Sequence, residues 1–251
     1  MKIIISPAKK MKQEDVLAPT GMPVFVDKAE QLMRYLQSLS YEALKELLCC
    51  NDQIAALNFE RYQKMDLRQG LSPAILAYEG IQYQYMAPHI FDDVCFNYIQ
   101  QNVRILSGFY GILKPFDGVV PYRLELQAKL KTSFCKNVYD FWRDSIYREL
   151  VQHDKTVVNL ASVEYSKIIS KYCTPDIRFV TCTFGQWQEG KVKENGVYVK
   201  MARGEMVRFM AEQNITELEE IKTFDRLGYQ YQESLSDANH YVFLQRKEET
   251  K

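Results

Sequence analysis

Residues 103–108 read Val103-Arg104-Ile105-Leu106-Ser107-Gly108, a compact apolar run closed by two small residues. A run of this length, rich in branched side chains and bounded by polar positions, is the signature of a strand buried on both faces. The signature occurs twice more in the chain. Ile3-Ile4-Ile5-Ser6 is stopped by Pro7, whose fixed φ and missing N–H end regular pairing, and Thr156-Val157-Val158-Asn159-Leu160 is the third instance. Helical sequence lies between these runs, so the pattern predicts a sheet with parallel members covered by helices.

From Asp27 the apolar period becomes helical, with Leu32, Tyr35, Leu36 and Leu39 on one stripe. Ser40 is positioned to cap a second helix carrying Leu44, Leu47 and Leu48, and Asn51 or Asp52 a third carrying Ile54, Leu57, Asn58 and Arg61. Ser72-Pro73 reads as a cap and first-turn proline before a short helix ending at Tyr78. Pro88 opens another helix, with Ile90, Val94 and Tyr98 beside Phe91, Cys95 and Ile99, and Val138 to Val151 is expected as one aromatic-rich helix. Further along, Ile177 to Trp187 reads as a strand. Asn195-Gly196 supplies the positive φ values of a type I′ turn and predicts a hairpin into a strand over Val197 to Lys200. A helix over Ala202 to Gln213, an acidic helix from Thr216 and a strand over Asn239 to Gln245 complete the pattern. The fold class expected is α/β (mixed α+β), with a mixed sheet and surrounding helices. One domain over residues 1–251 is expected, because no repeat, low-complexity tract or Pro/Gly/Ser-rich linker marks a boundary.

The 251 residues are 47% hydrophobic and 25% charged, which excludes disordered, collagenous and coiled-coil classes. The apolar run at the start is three residues long, far short of the roughly 20 a spanning helix needs, so a cytoplasmic protein with no membrane partner is expected. Six cysteines without C-x-x-C spacing, and three scattered histidines, predict reduced core thiols, no metal site and no cofactor. No P-loop, G-x-S-x-G or dinucleotide fingerprint is present.

Charge is balanced at 32 Lys+Arg against 32 Asp+Glu, so any basic surface has to be local. Residues 104–208 hold 17 Lys+Arg against 11 Asp+Glu, a surplus of 6, while the segments before and after are acidic by 2 and 4. Lys9 and Lys10 follow the first strand and Pro7, where ligands of parallel sheets bind beyond the strands' carboxyl ends. Lys200, Arg203 and Arg208 lie near the start of a predicted helix, where exposed N–H groups favour anions, and Gly204 permits close backbone approach there.

Four ordered segments carry a family resemblance: Ile5-Ser6-Pro7-Ala8-Lys9; Leu106-Ser107-Gly108-Phe109-Tyr110-Gly111-Ile112-Leu113-Lys114-Pro115-Phe116-Asp117 with Pro121-Tyr122-Arg123-Leu124-Glu125; Asn159-Leu160-Ala161-Ser162-Val163-Glu164-Tyr165; and Ala202-Arg203-Gly204-Glu205-Met206. Together they resemble the YaaA family of bacterial peroxide-stress proteins, and the likeness extends to Gly228-Tyr229 and Phe243-Leu244-Gln245-Arg246. The resemblance implies a cytoplasmic protein, induced by hydrogen peroxide, that limits free iron and so protects DNA and proteins from oxidation. It also implies DNA binding by a single-domain α/β fold with a helix-hairpin-helix element and a positively charged cleft. That element maps onto Tyr41 to Tyr62, two short helices meeting at Cys49-Cys50-Asn51. The turn has no glycine, Asp52 opposes a phosphate, and Lys45, Arg61 and Lys64 are the nearby cations, so an ordinary αα-hairpin is the alternative.

The reading that follows is a monomeric, cytoplasmic, peroxide-stress protein that binds duplex or distorted DNA largely without regard to sequence. Its expected DNA-binding residues are Lys9, Lys10, Lys114, Arg123, Lys167, Lys200, Arg203 and Arg208. The alternative is an enzyme acting on a small phosphorylated or nucleotide-like substrate in a polar pocket near Arg123 and Glu125, with Glu125 or Glu164 as acid/base candidates. Arg123 and Glu125 also fit a plain ion pair that fixes a turn.

Overall fold

The structure is a computed structural model and describes residues 1–246. The chain opens with β1 (Lys2–Ile5) and a two-residue strand β2 (Lys10–Met11). Three helices follow, α1 (Val26–Gln37), α2 (Tyr41–Leu48) and α3 (Asp52–Gln63). Ser40 and Asn51 cap α2 and α3 by accepting N–H bonds from Ala43 and Ile54, as their sequence positions predict. Next come β3 (Ser72–Pro73), α4 (Ala74–Ala77), β4 (Tyr78–Glu79), α5 (Ile81–Met86) and α6 (Asp93–Asn102). Ser72 is no cap: its hydroxyl accepts the Glu14 N–H, and the helix begins two residues later. Pro88 heads only a single 3-10 turn, and α6 is capped instead by Asp92, which accepts the Cys95 N–H at 2.8 Å.

The second half adds β5 (Val103–Ser107), β6 (Gly111–Leu113), β7 (Gly118–Val119), α7 (Val138–Trp142), α8 (Ser145–Val151), β8 (Thr156–Leu160) and α9 (Val163–Ser170). It closes with β9 (Arg178–Gln188), β10 (Lys191–Lys193), α10 (Gly196–Glu212), α11 (Leu218–Ile221), β11 (Tyr229–Tyr231) and β12 (His240–Gln245). The helix expected over 138–151 is broken at Arg143, whose φ of +46° no α-helix tolerates.

The largest correction concerns the Asn195-Gly196 pair. A hairpin does exist here, but its turn is Glu189-Gly190, with φ of +53° and +77°, joining antiparallel β9 and β10. Asn195 caps α10 by accepting the Val197 N–H, so Val197 to Lys200 is helix rather than strand. Asparagine serves both as a positive-φ turn residue and as an N-cap, and helix propagation over 17 residues against the sheet wins.

The main sheet has eight strands ordered β11-β12-β9-β8-β1-β5-β6, with β10 paired to the far end of β9. The five strands β12, β9, β8, β1 and β5 are mutually parallel, and β6 and β11 flank them antiparallel. Numbered in chain order, the parallel strands lie 2-1-3-4-5. From β1 the chain moves to β5 on one side, and from β8 to β9 on the other. Their carboxyl ends therefore diverge, leaving the crevice where open α/β sheets bind ligands. Ile3, Ile4 and Ile5 are fully buried in one continuous core with Val157, Val158 and Leu160. No helix among the described residues is long and apolar enough to cross a membrane.

Candidate functional site

Four glycine or serine positions, Ser6, Ser162, Gly108 and Gly204, set the chain around that crevice. After β8, Asn159 accepts the Ala161 N–H through its side chain at 2.9 Å and turns the chain into α9. Ser162 heads α9 and donates its backbone N–H to Ser6 Oγ at 2.8 Å, while Ser6 Oγ donates to Ser162 Oγ at 3.2 Å. The loops after β1 and β8 are thus tied together. After β5, a Cβ on Gly108 would lie 2.3 Å from the Leu124 carbonyl oxygen, so only glycine lets the Tyr122–Glu125 segment cross there. Tyr122 OH lies 2.5 Å from Ser107 Oγ and 2.7 Å from Tyr78 OH, and Tyr62 OH donates to the Arg123 carbonyl at 2.9 Å. Burial pushes Tyr122 up to about 12, so it stays a neutral hydrogen-bonding phenol.

The third wall is helical. A Cβ on Gly204 would fall 2.2 Å from the Gln82 carbonyl oxygen and 2.9 Å from Met86 N, so Gly204 lets α10 press directly onto α5. The close approach that Gly204 permits is to α5, and it fixes Arg203 beside Gln82. On the remaining side, β2 pairs with β4 so that Lys10 opposes Glu79, their charged groups 3.0 Å apart.

These segments enclose a cavity of about 540 Å³ at the carboxyl ends of the parallel strands. Five cations line it, Lys9, Lys10, Arg123, Lys200 and Arg203, against three carboxylates, Glu79, Glu125 and Glu164. Tyr83, Tyr122, Tyr165 and Ile81 supply its apolar surface. Glu125 Oε1 lies 3.1 Å from an Arg123 nitrogen and 3.4 Å from Lys9 Nζ, close enough to pair but with neither donor aligned to bond it. Burial raises the Glu164 carboxyl above its usual range, the Gln127 N–H it accepts pulls it back down, and Glu125 adds to the rise. Burial also lowers Arg203, whose guanidinium has no ion-pair partner among the described residues.

Of the eight cations predicted from sequence, the structure brings Lys9, Lys10, Arg123, Lys200 and Arg203 to this cavity, together with both predicted carboxylates, Glu125 and Glu164. It does not bring the other three. Leu113 pairs with Ile105 in the antiparallel β5–β6 ladder, which carries Lys114 to the opposite end of the parallel strands. Lys167 extends over the Tyr139 ring, 4.8 Å from its centre, and Arg208 pairs with Glu212 at 2.7 Å. Gln82 and Tyr83 of α5 line the site with no signal in the sequence, because six residues are too few for a readable period. Ser6 and Tyr165 lie inside quoted motifs, and only the fold gives them a role.

The α2–α3 pair meets over Cys49 to Asn51, with Cys49 in the left-handed conformation at φ +48°. Its nearby cations are engaged. Lys45 pairs with Asp52 at 2.7 Å, Lys64 with Glu60 at 2.7 Å, and Arg61 donates to the Met11 carbonyl at 3.0 Å. Among the described residues, no group of three or more His, Cys, Asp or Glu side chains is placed to hold a metal ion.

Comparison with known proteins gives one consistent result. The family model described as peroxide stress protein YaaA matches residues 1–235. A UPF0246 protein of Desulfitobacterium hafniense is 66% identical over 97% of this chain and 98% of its own length. One from Lachnoclostridium phytofermentans is 54% identical over 97% and 96%, and one from Lactiplantibacillus plantarum 47% identical over 97% and 99%.

Proposed function

We propose, because the chain belongs to the family of peroxide stress protein YaaA, that it acts in the peroxide-stress response as a cytoplasmic DNA-binding protein whose contact surface is the cationic mouth of the cavity. The observation that carries this reading is the convergence of Lys9, Lys10, Arg123, Lys200 and Arg203, spread over nearly the whole chain, on one opening. Three of them are exposed or rim residues, Lys9, Lys10 and Lys200, suited to phosphate contacts that position a duplex without reading its bases. The reading places phosphate here rather than at the α2–α3 hairpin because Lys200 and Arg203 have no ion-pair partner among the described residues, whereas Lys45, Arg61 and Lys64 are all held by protein oxygens.

Charge reversal separates this surface from the rest of the molecule. Lys200→Glu weakens duplex binding at least tenfold in a fluorescence anisotropy titration, since it replaces attraction by repulsion at the mouth. Lys114→Glu, at the other end of the sheet, leaves affinity within twofold. Equal effects of the two substitutions would remove the cavity mouth from the contact surface.

A further inference from the structure

Five buried side-chain atoms among the described residues lack a hydrogen-bond partner, and four of them belong to residues that line the same cavity. They are Gln82 Nε2, Arg123 Nε, Glu125 Oε1 and Arg203 Nε. Leaving such a group unpaired is destabilising, and more so when it is charged. Four such groups gather along one cavity, and of these only Glu125 Oε1 also has opposite charges within ion-pair distance, Arg123 and Lys9. Gln82 is 7% exposed, so bulk water does not satisfy it.

The chemistry of the set is asymmetric. Three atoms are donors, two of them on guanidinium groups, and one is a carboxylate oxygen. Arg203 is not paired with any described carboxylate, whereas Arg123 already has Glu125. Ser162 heads the eight-residue α9 without a side-chain cap bond, so the helix's first-turn N–H groups add positive potential on the same side. An anion with several acceptor oxygens satisfies the donors at Arg203 and Gln82. A hydroxyl or amine on the same molecule satisfies Glu125. Tyr83, Tyr122, Tyr165 and Ile81 offer an apolar wall for a flat ring, and about 540 Å³ lies within the usual range for a ligand of nucleotide size.

We propose that the floor of this cavity binds a small phosphorylated molecule of the nucleoside monophosphate class, with its phosphate on Arg203 and Gln82 and its hydroxyl- or amine-bearing end on Glu125. The proposal does not rest on DNA binding: the exposed Lys9 and Lys10 serve the mouth, the buried Arg203 and Gln82 serve the floor.

The test is a thermal-shift and calorimetric titration of the full chain with AMP, GMP, CMP and UMP, the matching nucleosides, inorganic phosphate and a single-stranded oligonucleotide. At least one monophosphate raises the unfolding midpoint by about 5 °C at a hundredfold excess over its Kd, more than its nucleoside or inorganic phosphate does. Arg203→Met weakens that binding by tenfold or more, and Lys114→Gln, at the far end of the parallel strands, leaves it within threefold. Should Arg203→Met fail to fold by circular dichroism, Gln82→Leu carries the same comparison, with a loss of roughly tenfold expected from one charge-assisted hydrogen bond. The proposal is overturned by no response to any monophosphate, by equal protection from inorganic phosphate, by protection from the oligonucleotide alone, or by unchanged affinity in the floor variants.

Discussion

Asp117 is the buried carboxylate whose charge the fold holds least comfortably. It is 6% exposed, and burial pushes its pKa up to about 6, against a partial offset from the Lys114 N–H that its Oδ2 accepts at 2.8 Å. The native state thus holds this proton more tightly than the unfolded chain. Its contribution to stability is fully present below about pH 4 and is lost as pH rises through about 6, a swing of up to about 3 kcal/mol. Urea midpoints of the wild type and Asp117→Asn should diverge across that window, with the wild type losing ground as pH increases; parallel profiles would show that the carboxyl is not so perturbed. A thiol comparison checks burial directly. Cys49 is exposed, whereas burial lifts Cys95 to about 11 and Cys182 to about 12. Iodoacetamide should label Cys49 in the native protein, and Cys95 and Cys182 only after denaturation, read by peptide mass.

The hairpin and α10 give opposite predictions for two glycines six residues apart. Gly190 has φ of +77°, so Gly190→Ala should cost about 1 kcal/mol by strain in the turn. Gly196 lies in the first turn of α10, with no heavy atom within 4 Å of where an alanine methyl would sit, so Gly196→Ala should be neutral or stabilising by up to about 1 kcal/mol. Chemical denaturation of both variants checks this, and a destabilised Gly196→Ala would restore the Asn195-Gly196 turn. Elements with strong local signals were readable from sequence: the buried runs of β1, β5 and β8, and the Ser40 and Asn51 caps. Those whose pairing partners lie far away were not. β2 and β4 are two residues each, held only by one another, and no periodicity exists in so short a segment. Arg143 broke a helix that its apolar pattern continued through, because a positive φ at a non-glycine residue leaves no mark in composition.

In the molecule as a whole, the sequence revealed a basic middle segment but not which of its charges meet. The 2-1-3-4-5 order of parallel strands settles that by setting the loops after β1 and β8 side by side, while the antiparallel β5–β6 pairing sends Lys114 to the far end. Charge counted along the chain had grouped Lys114, Lys167 and Arg208 with the site, whereas Lys9 and Lys10, from the acidic first segment, belong at its mouth. The salt dependence of duplex DNA binding tests this arrangement most directly. Neutralising three to five phosphates gives a plot of log K against log salt with a slope of about −3 to −5, and Lys9→Gln, Lys10→Gln and Lys200→Gln should each flatten it by about 1. A flat wild-type response, or a slope unchanged when all three lysines are replaced, would contradict DNA contact at the cavity mouth.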